Sequence, residues 1–248
     1  MKLKNLDEEI KRAKEILTRA EGITVLTGAG ISQESGVPTF RGEEGLWKKY
    51  RPEEVDTAEA FECNPKYVWQ WYNGLRELIS NTEPNPGHYA LAELEKTHLN
   101  FTLITQNIDD LHRLAGNINI IELHGNIWWA RCVECPAFEE NRDVPLREIP
   151  PRCKSCGGLL RPGVIWFGED IPLPIIDSCL LSIEYSDVML IAGTSEVVEP
   201  AASLGLVAKH TGKTVIEVNL EETVNSRHYD VVLLGKSGEV LPRIIPDR

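Results

Sequence analysis

No apolar run in this sequence approaches the roughly 20 residues that a membrane-spanning helix needs, so no transmembrane anchor is expected. Lys2 and Lys4 at the N-terminus are not followed by an apolar stretch. No signal peptide is therefore expected, and a cytoplasmic location follows by default. Positive charge is in short supply, with 26 Lys and Arg against 38 Asp and Glu and a net charge of −12. Such a surface repels phosphate backbones, which argues against direct nucleic-acid binding, while a basic protein tail would be attracted. Cysteine is scarce as well, with six in 248 residues. In a cytosolic chain that number points to metal or free thiols rather than to a disulfide framework.

What is present supports an α/β fold. A hydrophobic content of 42% suffices for one large domain, or for a domain with a small satellite lobe. Asn5 and Glu8 have capping-box spacing for a helix through about Ala20, with Ile10, Ala13, Ile16, Leu17 and Ala20 on one face. Short apolar strands are predicted at Ile23–Thr27, Phe101–Thr105, Ile118–Leu123, Val188–Ala192, Thr214–Val218 and Val231–Leu234. Helical patterns such as Gly87–Lys96 and Ala201–Thr211 lie between them. This alternation predicts a Rossmann-like parallel sheet with helices on both faces. Two stretches interrupt it, Val37 to about Pro84 and Asn126 to about Arg161, and they suit a second lobe. The boundaries are about 1–36, 85–125 and 162–248 for the large lobe, and 37–84 and 126–161 for the small one.

Gly28-Ala29-Gly30 follows the first strand, where a phosphate-binding turn belongs. The third glycine, however, is Gly36 and position 33 is Gln, so the usual dinucleotide spacing is missing. An acidic residue ending a strand about 20 positions later is missing too. A plain strand-to-helix turn explains the glycines equally well. Cys132-x2-Cys135 and Cys153-x2-Cys156, 17 residues apart, have the spacing of a four-cysteine zinc ribbon. An all-cysteine set leaves no open coordination position and so implies a structural zinc. Cys179 sits in an apolar helical pattern and reads as a core residue. Gln106, Asn107 and Asp109 follow one strand and could face a nucleotide, although Asn107 and Asp109 also suit a helix cap. His124 follows another strand and is the best candidate base in the chain. His88 and His112 fall within helices. Gly193-Thr194-Ser195 and Asn219 end two further strands. Glu196 reads as solvated, and Glu199 is open between a solvated role and a basic peptide.

Taken together, several motifs resemble those of the sirtuins. They are Thr27 to Ser32, Ser35 to Gly42, Thr105 to Asp109, Leu123-His124-Gly125, the two CxxC pairs, Phe167-Gly168-Glu169 and Gly193-Thr194-Ser195. They keep the family's order over roughly residues 20 to 240. The resemblance implies an NAD-dependent protein-lysine deacylase in which NAD and an acylated lysine meet between the lobes. It implies His124, Asn107 and Asp109 as catalytic residues. NAD contacts would come from Gly28, Ala29, Gly30, Phe40, Arg41, Gln106, Asn107, Ile108, Asp109, Gly193, Thr194, Ser195, Asn219, Leu220 and Ser237. Tyr72, Val164, Phe167 and Gly168 would line the acyl-lysine channel. The zinc would hold the small lobe without taking part in the chemistry. The implied products are lysine, nicotinamide and O-acyl-ADP-ribose.

Pro38-Thr39-Phe40-Arg41-Gly42 and Trp69-Gln70-Trp71-Tyr72 are most similar to a sirtuin subgroup that often removes succinyl and malonyl groups. That subgroup binds the acyl carboxylate with a tyrosine and an arginine three residues later. Tyr72 matches, but position 75 is Leu and Arg76 comes next. Leu75 implies a mainly apolar acyl pocket favouring acetyl or longer neutral groups, and Arg76 rescuing carboxylate binding is the competing idea. Mono-ADP-ribosyl transfer, an NAD-dependent dehydrogenase and a non-catalytic zinc-ribbon module remain alternatives. NADH rather than nicotinamide as product would mark the dehydrogenase.

Overall fold

The computed structural model describes residues 6–40 and 45–246. Asn5 of the expected capping box and Arg41 of the expected NAD set lie outside them. Among the described residues nine strands are formed: β1 (Gly22–Thr27), β2 (Asn100–Thr105), β3 (Ile120–Glu122), β4 (Gly125–Cys132), β5 (Phe138–Glu140), β6 (Leu160–Val164), β7 (Val188–Ala192), β8 (Thr214–Asn219) and β9 (Val231–Leu234). Six of them form one parallel sheet in the order β3-β2-β1-β7-β8-β9. β3 is shorter than the expected Ile118–Leu123. The backbone N–H groups of Ile118 and Asn119 donate to the Glu95 carboxylate instead of joining the ladder.

Every residue of β1 and of β7 is buried, which only a sheet covered on both faces requires. Alternate residues feed opposite cores. Val25, Leu103 and Leu190 pack with Ile10, Leu17, Leu91, Leu94 and Leu241 from the helices Leu6–Arg19, Pro86–Thr97 and Ser237–Ile244. Leu26, Ile104 and Ile191 pack with Cys179, Ile183, Leu204 and Ala208 from the helices Leu173–Glu184 and Ala201–His210. Each such leucine contributes about 1.5–3 kcal/mol by leaving water. The strand order reverses between β1 and β7, and a doubly wound sheet opens its ligand crevice at that point.

A third core joins the two stretches that interrupt the alternation. Asn64 caps the helix Pro65–Ile79 by accepting from Tyr67 N–H at 3.1 Å, and Pro65 starts its first turn. The helix buries Val68, Trp69, Tyr72, Leu75, Arg76 and Ile79, a set that recurs at the three- and four-residue steps of one helix face. They meet Ile127, Trp128, Leu160 and Trp166 around the antiparallel sheet β5-β4-β6. Trp69 Nε1–H donates to the Leu160 carbonyl at 2.7 Å across this contact. Among the described residues no helix is long and apolar enough to cross a membrane.

Candidate active site

The crevice at the β1/β7 reversal is built from glycine. Gly28 N–H donates to the Ala192 carbonyl at 3.2 Å, and Gly30 N–H to the Gly193 carbonyl at 2.8 Å. A Cβ on Gly30 would lie 2.7 Å from that carbonyl oxygen, and one on Gly28 would lie 2.8 Å from Thr194 Cβ. Gly193 itself has φ +61°, in the left-handed region. The two loops therefore touch backbone to backbone. Their glycines are needed for that contact, whatever binds above it.

From these loops a cavity of about 850 Å³ runs toward the small sheet. Of the expected NAD set, Gly28, Ala29, Gly30, Phe40, Gln106, Asn107, Ile108, Gly193, Thr194, Ser195, Asn219 and Leu220 line it. So do His124 and all four expected channel residues, Tyr72, Val164, Phe167 and Gly168. Gln106 Nε2 donates to Thr194 Oγ1 at 2.9 Å, tying the β2 loop to the β7 loop. Asn107 Nδ2 donates to the Gly28 carbonyl at 3.1 Å and to Ser32 Oγ at 3.0 Å. Asp109 is buried behind this layer and lines a small adjoining cavity with Ala29, Ser32, Val37, Leu75 and Ile79. Its Oδ1 accepts from Leu111 N–H at 2.9 Å, an Asx turn leading into the short helix Leu111–Ala115, whose N-cap is Asp110 rather than the expected Asp109. Burial pushes its pKa above the ordinary carboxylate value.

His124 Nδ1 lies 3.0 Å from the Gln106 carbonyl. A carbonyl only accepts, so Nδ1 carries the proton and Nε2 keeps its lone pair. Burial lowers the His124 pKa, against the opposing pull of that hydrogen bond. The ring is thus neutral and basic near pH 7. His88 and His112 are buried in helices with ring centroids 4.8 Å apart and line neither cavity.

At the far end Trp47, Trp71, Tyr72, Trp166 and Phe167 form an aromatic wall. Trp47 stacks on Trp71 at 5.9 Å between centroids, and Trp71 meets Tyr72 edge-on at 4.8 Å. Ile165 N–H donates to the His124 carbonyl at 2.9 Å, and the indole of the next residue, Trp166, donates to Tyr72 Oη at 3.1 Å. His124 and the aromatic wall therefore share one strand end.

The cysteine thiols of positions 132, 135, 153 and 156 all lie within 4.8 Å of one another. The Sγ separations are 3.5 Å for Cys132–Cys156 and 3.7 Å for Cys135–Cys153. A tetrahedral zinc with bonds of about 2.3 Å requires about 3.8 Å between sulfurs. Glu134 N–H and Gly158 N–H each approach a sulfur at 3.4 Å, as the two tight knuckles require. The donor set therefore fits a single structural zinc. Cys179 is fully buried in the core, and burial pushes its thiol up to about 11.

Residues 28–200 match the Sir2 family. The chain belongs to the Sir2 family. It is 51% identical over 222 residues to a protein of Aquifex aeolicus called "NAD-dependent protein deacylase", covering 90% of this chain and 93% of that one. A relative in Pyrobaculum aerophilum, "NAD-dependent protein deacylase 2", is 48% identical over 94% of this chain and 93% of its own. A solved Sir2 homologue with a serine-to-alanine substitution, in complex with ADP-ribose, superposes with a TM-score of 0.91. It is 46% identical and covers 95% of this chain and 94% of its own. The structure of Sir2Af2 bound to a myristoylated histone peptide gives 0.78 at 34% identity, over 96% and 95% of the two chains.

Several expectations change on this Sir2 framework. Arg76 does not reach the cavity that holds the expected channel residues. It is fully buried and donates to the carbonyls of Ile127, Asn141 and Asp143 at the small sheet. Leu75 faces the small adjoining cavity rather than the channel beside Tyr72, one of several residues setting that channel's apolar wall. Ser237 is buried at the start of the C-terminal helix and is not among the residues lining the main cavity. Glu196 is not solvated. It is 4% exposed with φ +51°, and its carboxylate accepts from the Tyr229 hydroxyl and, at 2.5 Å, from Thr223 Oγ1. It thereby holds the loop after β8 against the loop after β7. Glu199 is exposed at the cavity edge and accepts from Ser203 Oγ at 2.7 Å.

Sequence reasoning missed Asp56. This residue lines the cavity and its carboxylate accepts from the Tyr72 hydroxyl. It sits in an ordinary acidic surface stretch, Glu53-Glu54-Val55-Asp56, with no local signal to mark it. Trp47 and Trp166 were missed for the same reason, since only the fold brings them together with Trp71.

Proposed function

We propose that this Sir2 family chain removes acyl groups from lysine side chains of proteins with NAD as co-substrate, giving nicotinamide and O-acyl-ADP-ribose. The observation that carries the reading is His124, neutral, with its Nδ1 proton fixed on a carbonyl and its ring at the cavity that joins the glycine loops to the aromatic wall. Bound NAD would supply the ribose carbon to which the acyl-lysine oxygen adds as nicotinamide leaves. Gly28, Ala29, Gly30, Gly193, Thr194, Ser195, Asn219 and Leu220 would hold the dinucleotide. Gln106, Asn107, Ile108 and Asp109, with Phe40, would order its nicotinamide ribose. His124 Nε2 would take the proton of a ribose hydroxyl, a step whose general-base contribution is typically 10²–10⁴-fold. Val164, Phe167 and Gly168 would hold the peptide.

A neutral acyl group, acetyl first, is the favoured substrate, although Pro38-Thr39-Phe40-Arg41-Gly42 and Tyr72 resemble the motifs of the desuccinylase-like subgroup. Among the described residues lining the cavity there is no lysine or arginine, Arg76 being committed elsewhere and Arg161, over the Trp166 ring, being paired with Glu169. The test is an acyl-lysine peptide panel with NAD, read by mass spectrometry of both products. Nicotinamide and O-acyl-ADP-ribose in equal amounts support the reading. NADH, or ADP-ribose attached to protein without deacylation, refutes it.

A further inference from the structure

We propose that the Asp56 carboxylate is a specificity-determining group that excludes acyl chains ending in a carboxylate from this site. The inference rests on the deacylase reading and specifies its substrate class.

Asp56 is stitched into the channel by its backbone. Its carbonyl accepts from Phe167 N–H at 3.0 Å, and the next residue, Thr57, forms a bridge with Phe167. The side chain then enters the cavity and accepts a hydrogen bond from the Tyr72 hydroxyl. That hydroxyl also accepts from Trp166 Nε1. A tyrosine has one proton to donate. Once it is given to Asp56, Tyr72 has none for an acyl carboxylate. The residue that the motif marks as a carboxylate binder is thus already occupied by an internal carboxylate.

The charges nearby do not reverse this. Arg161 is paired with both oxygens of Glu169, at 2.5 and 2.8 Å, and its guanidinium lies 3.4 Å above the Trp166 ring. Among the described residues lining the cavity there is no lysine or arginine, while Asp56, Glu169, Glu199, Glu221 and Glu222 all line it. A succinyl or glutaryl chain would bring a second negative charge to Asp56, and Arg161, the cation whose field reaches Asp56, is already neutralised by Glu169. An acetyl or butyryl chain would meet only the aromatic wall and an already satisfied hydroxyl.

The experiment measures kcat/KM on peptides of one sequence bearing butyryl-lysine or succinyl-lysine, at pH 8.5, for wild type, Asp56→Asn and Tyr72→Phe. The wild type is expected to prefer butyryl by on the order of 100-fold, as like charges a few ångströms apart in a half-shielded pocket require. Asp56→Asn should narrow the ratio at least tenfold, mainly through a lower KM for the succinyl peptide. Tyr72→Phe removes the internal donor but keeps the charge, and should hold or widen the ratio. A wild type that prefers succinyl, or an unchanged ratio in Asp56→Asn, overturns the proposal. If Asp56→Asn fails to fold by its melting curve, a ratio narrowed tenfold by Tyr72→Phe overturns it instead. A wild type that releases nicotinamide with neither peptide, nor with acetyl-lysine, overturns the deacylase reading itself.

Discussion

Arg76 offers the sharpest test of how the small sheet is held to the helical stretch beside it. Its Nη1 donates to the Ile127 carbonyl at 3.3 Å, and its Nη2 serves Asn141 Oδ1 at 3.1 Å and the Asp143 carbonyl at 3.2 Å, together with the Asn141 carbonyl. The guanidinium carbon lies 5.1 Å from the centroid of Trp128, on β4. Burial draws its pKa down to about 10, which still leaves it charged near neutrality. Replacement by Met keeps the volume but strands these acceptors in a closed interior. Each stranded carbonyl costs about 1–3 kcal/mol, while removing a buried charge returns part of its desolvation penalty. The expected net loss is about 2–4 kcal/mol. Arg76→Lys, a point charge that cannot fork across four acceptors, should fall between. Guanidinium unfolding followed by tryptophan fluorescence, with zinc release monitored by a chromogenic chelator, measures both effects. The ratio of butyryl to succinyl activity should not move. A Met variant within 0.5 kcal/mol of wild type, with a selectively altered succinyl rate, would refute the placement of Arg76 and return it to the acyl channel.

Five further outcomes are expected. His124→Ala should lower kcat/KM by about 10²–10⁴-fold with little change in melting temperature. The acid limb of the wild-type pH–rate profile should have its midpoint below 6.5, because burial depresses the histidine pKa. Metal analysis should find one zinc per chain, and Cys135→Ser should lose it and melt the small sheet at lower temperature, as seen by proteolysis within 126–161. Gly193→Ala, which forces a side chain into φ +61° against Gly30, should destabilise by about 1–3 kcal/mol and raise KM for NAD more than KM for peptide. Asp56, raised by burial to about 7 despite the Tyr72 hydrogen bond, with Glu169 raising it further and Arg161 opposing, should make charge selectivity pH-dependent. Its raised folded pKa means that stability is full below about pH 4 and falls as pH rises to about 7, and Asp56→Asn should flatten that slope. As Asp56 ionises around pH 7 the butyryl-to-succinyl ratio should grow with pH, and a ratio that is flat from pH 6 to 8.5 would contradict the assignment.

The parallel sheet was readable in the sequence because each buried strand is a short continuous apolar run, and β1, β2, β7, β8 and β9 fall within a residue or so of their predicted positions. The zinc site was readable because both halves of its donor set are local, each pair of cysteines lying within one turn. His124 and the Gln106–Asp109 loop were readable because strand ends are where a parallel sheet presents ligands. What escaped notice depends on partners distant in the chain. Glu196 looks like any surface acid until Tyr229 and Thr223 close over it. Arg76 looks available to Tyr72 on helical spacing, yet the fold turns it toward Asn141. Asp56 gains meaning only when Tyr72 and Phe167 arrive from two other segments.

The abnormal glycine spacing has the same origin. In the usual dinucleotide loop three glycines of one segment supply the tight turn, the close approach to phosphate and the helix-to-strand contact. Here Gly28 and Gly30 spend their N–H groups on the Ala192 and Gly193 carbonyls, and there is no room for a Cβ at either position. The closest backbone approach is therefore made between two loops, with Gly193 as the partner that a single-loop pattern assigns to the third glycine. Gln33 can then replace a glycine without strain, because that position lies within the short helix Ala29–Gln33 and borders the cavity with its side chain. A pattern search confined to one loop scores this as a defective fingerprint. The sheet, by placing β7 beside β1, brings the third glycine in from a second loop.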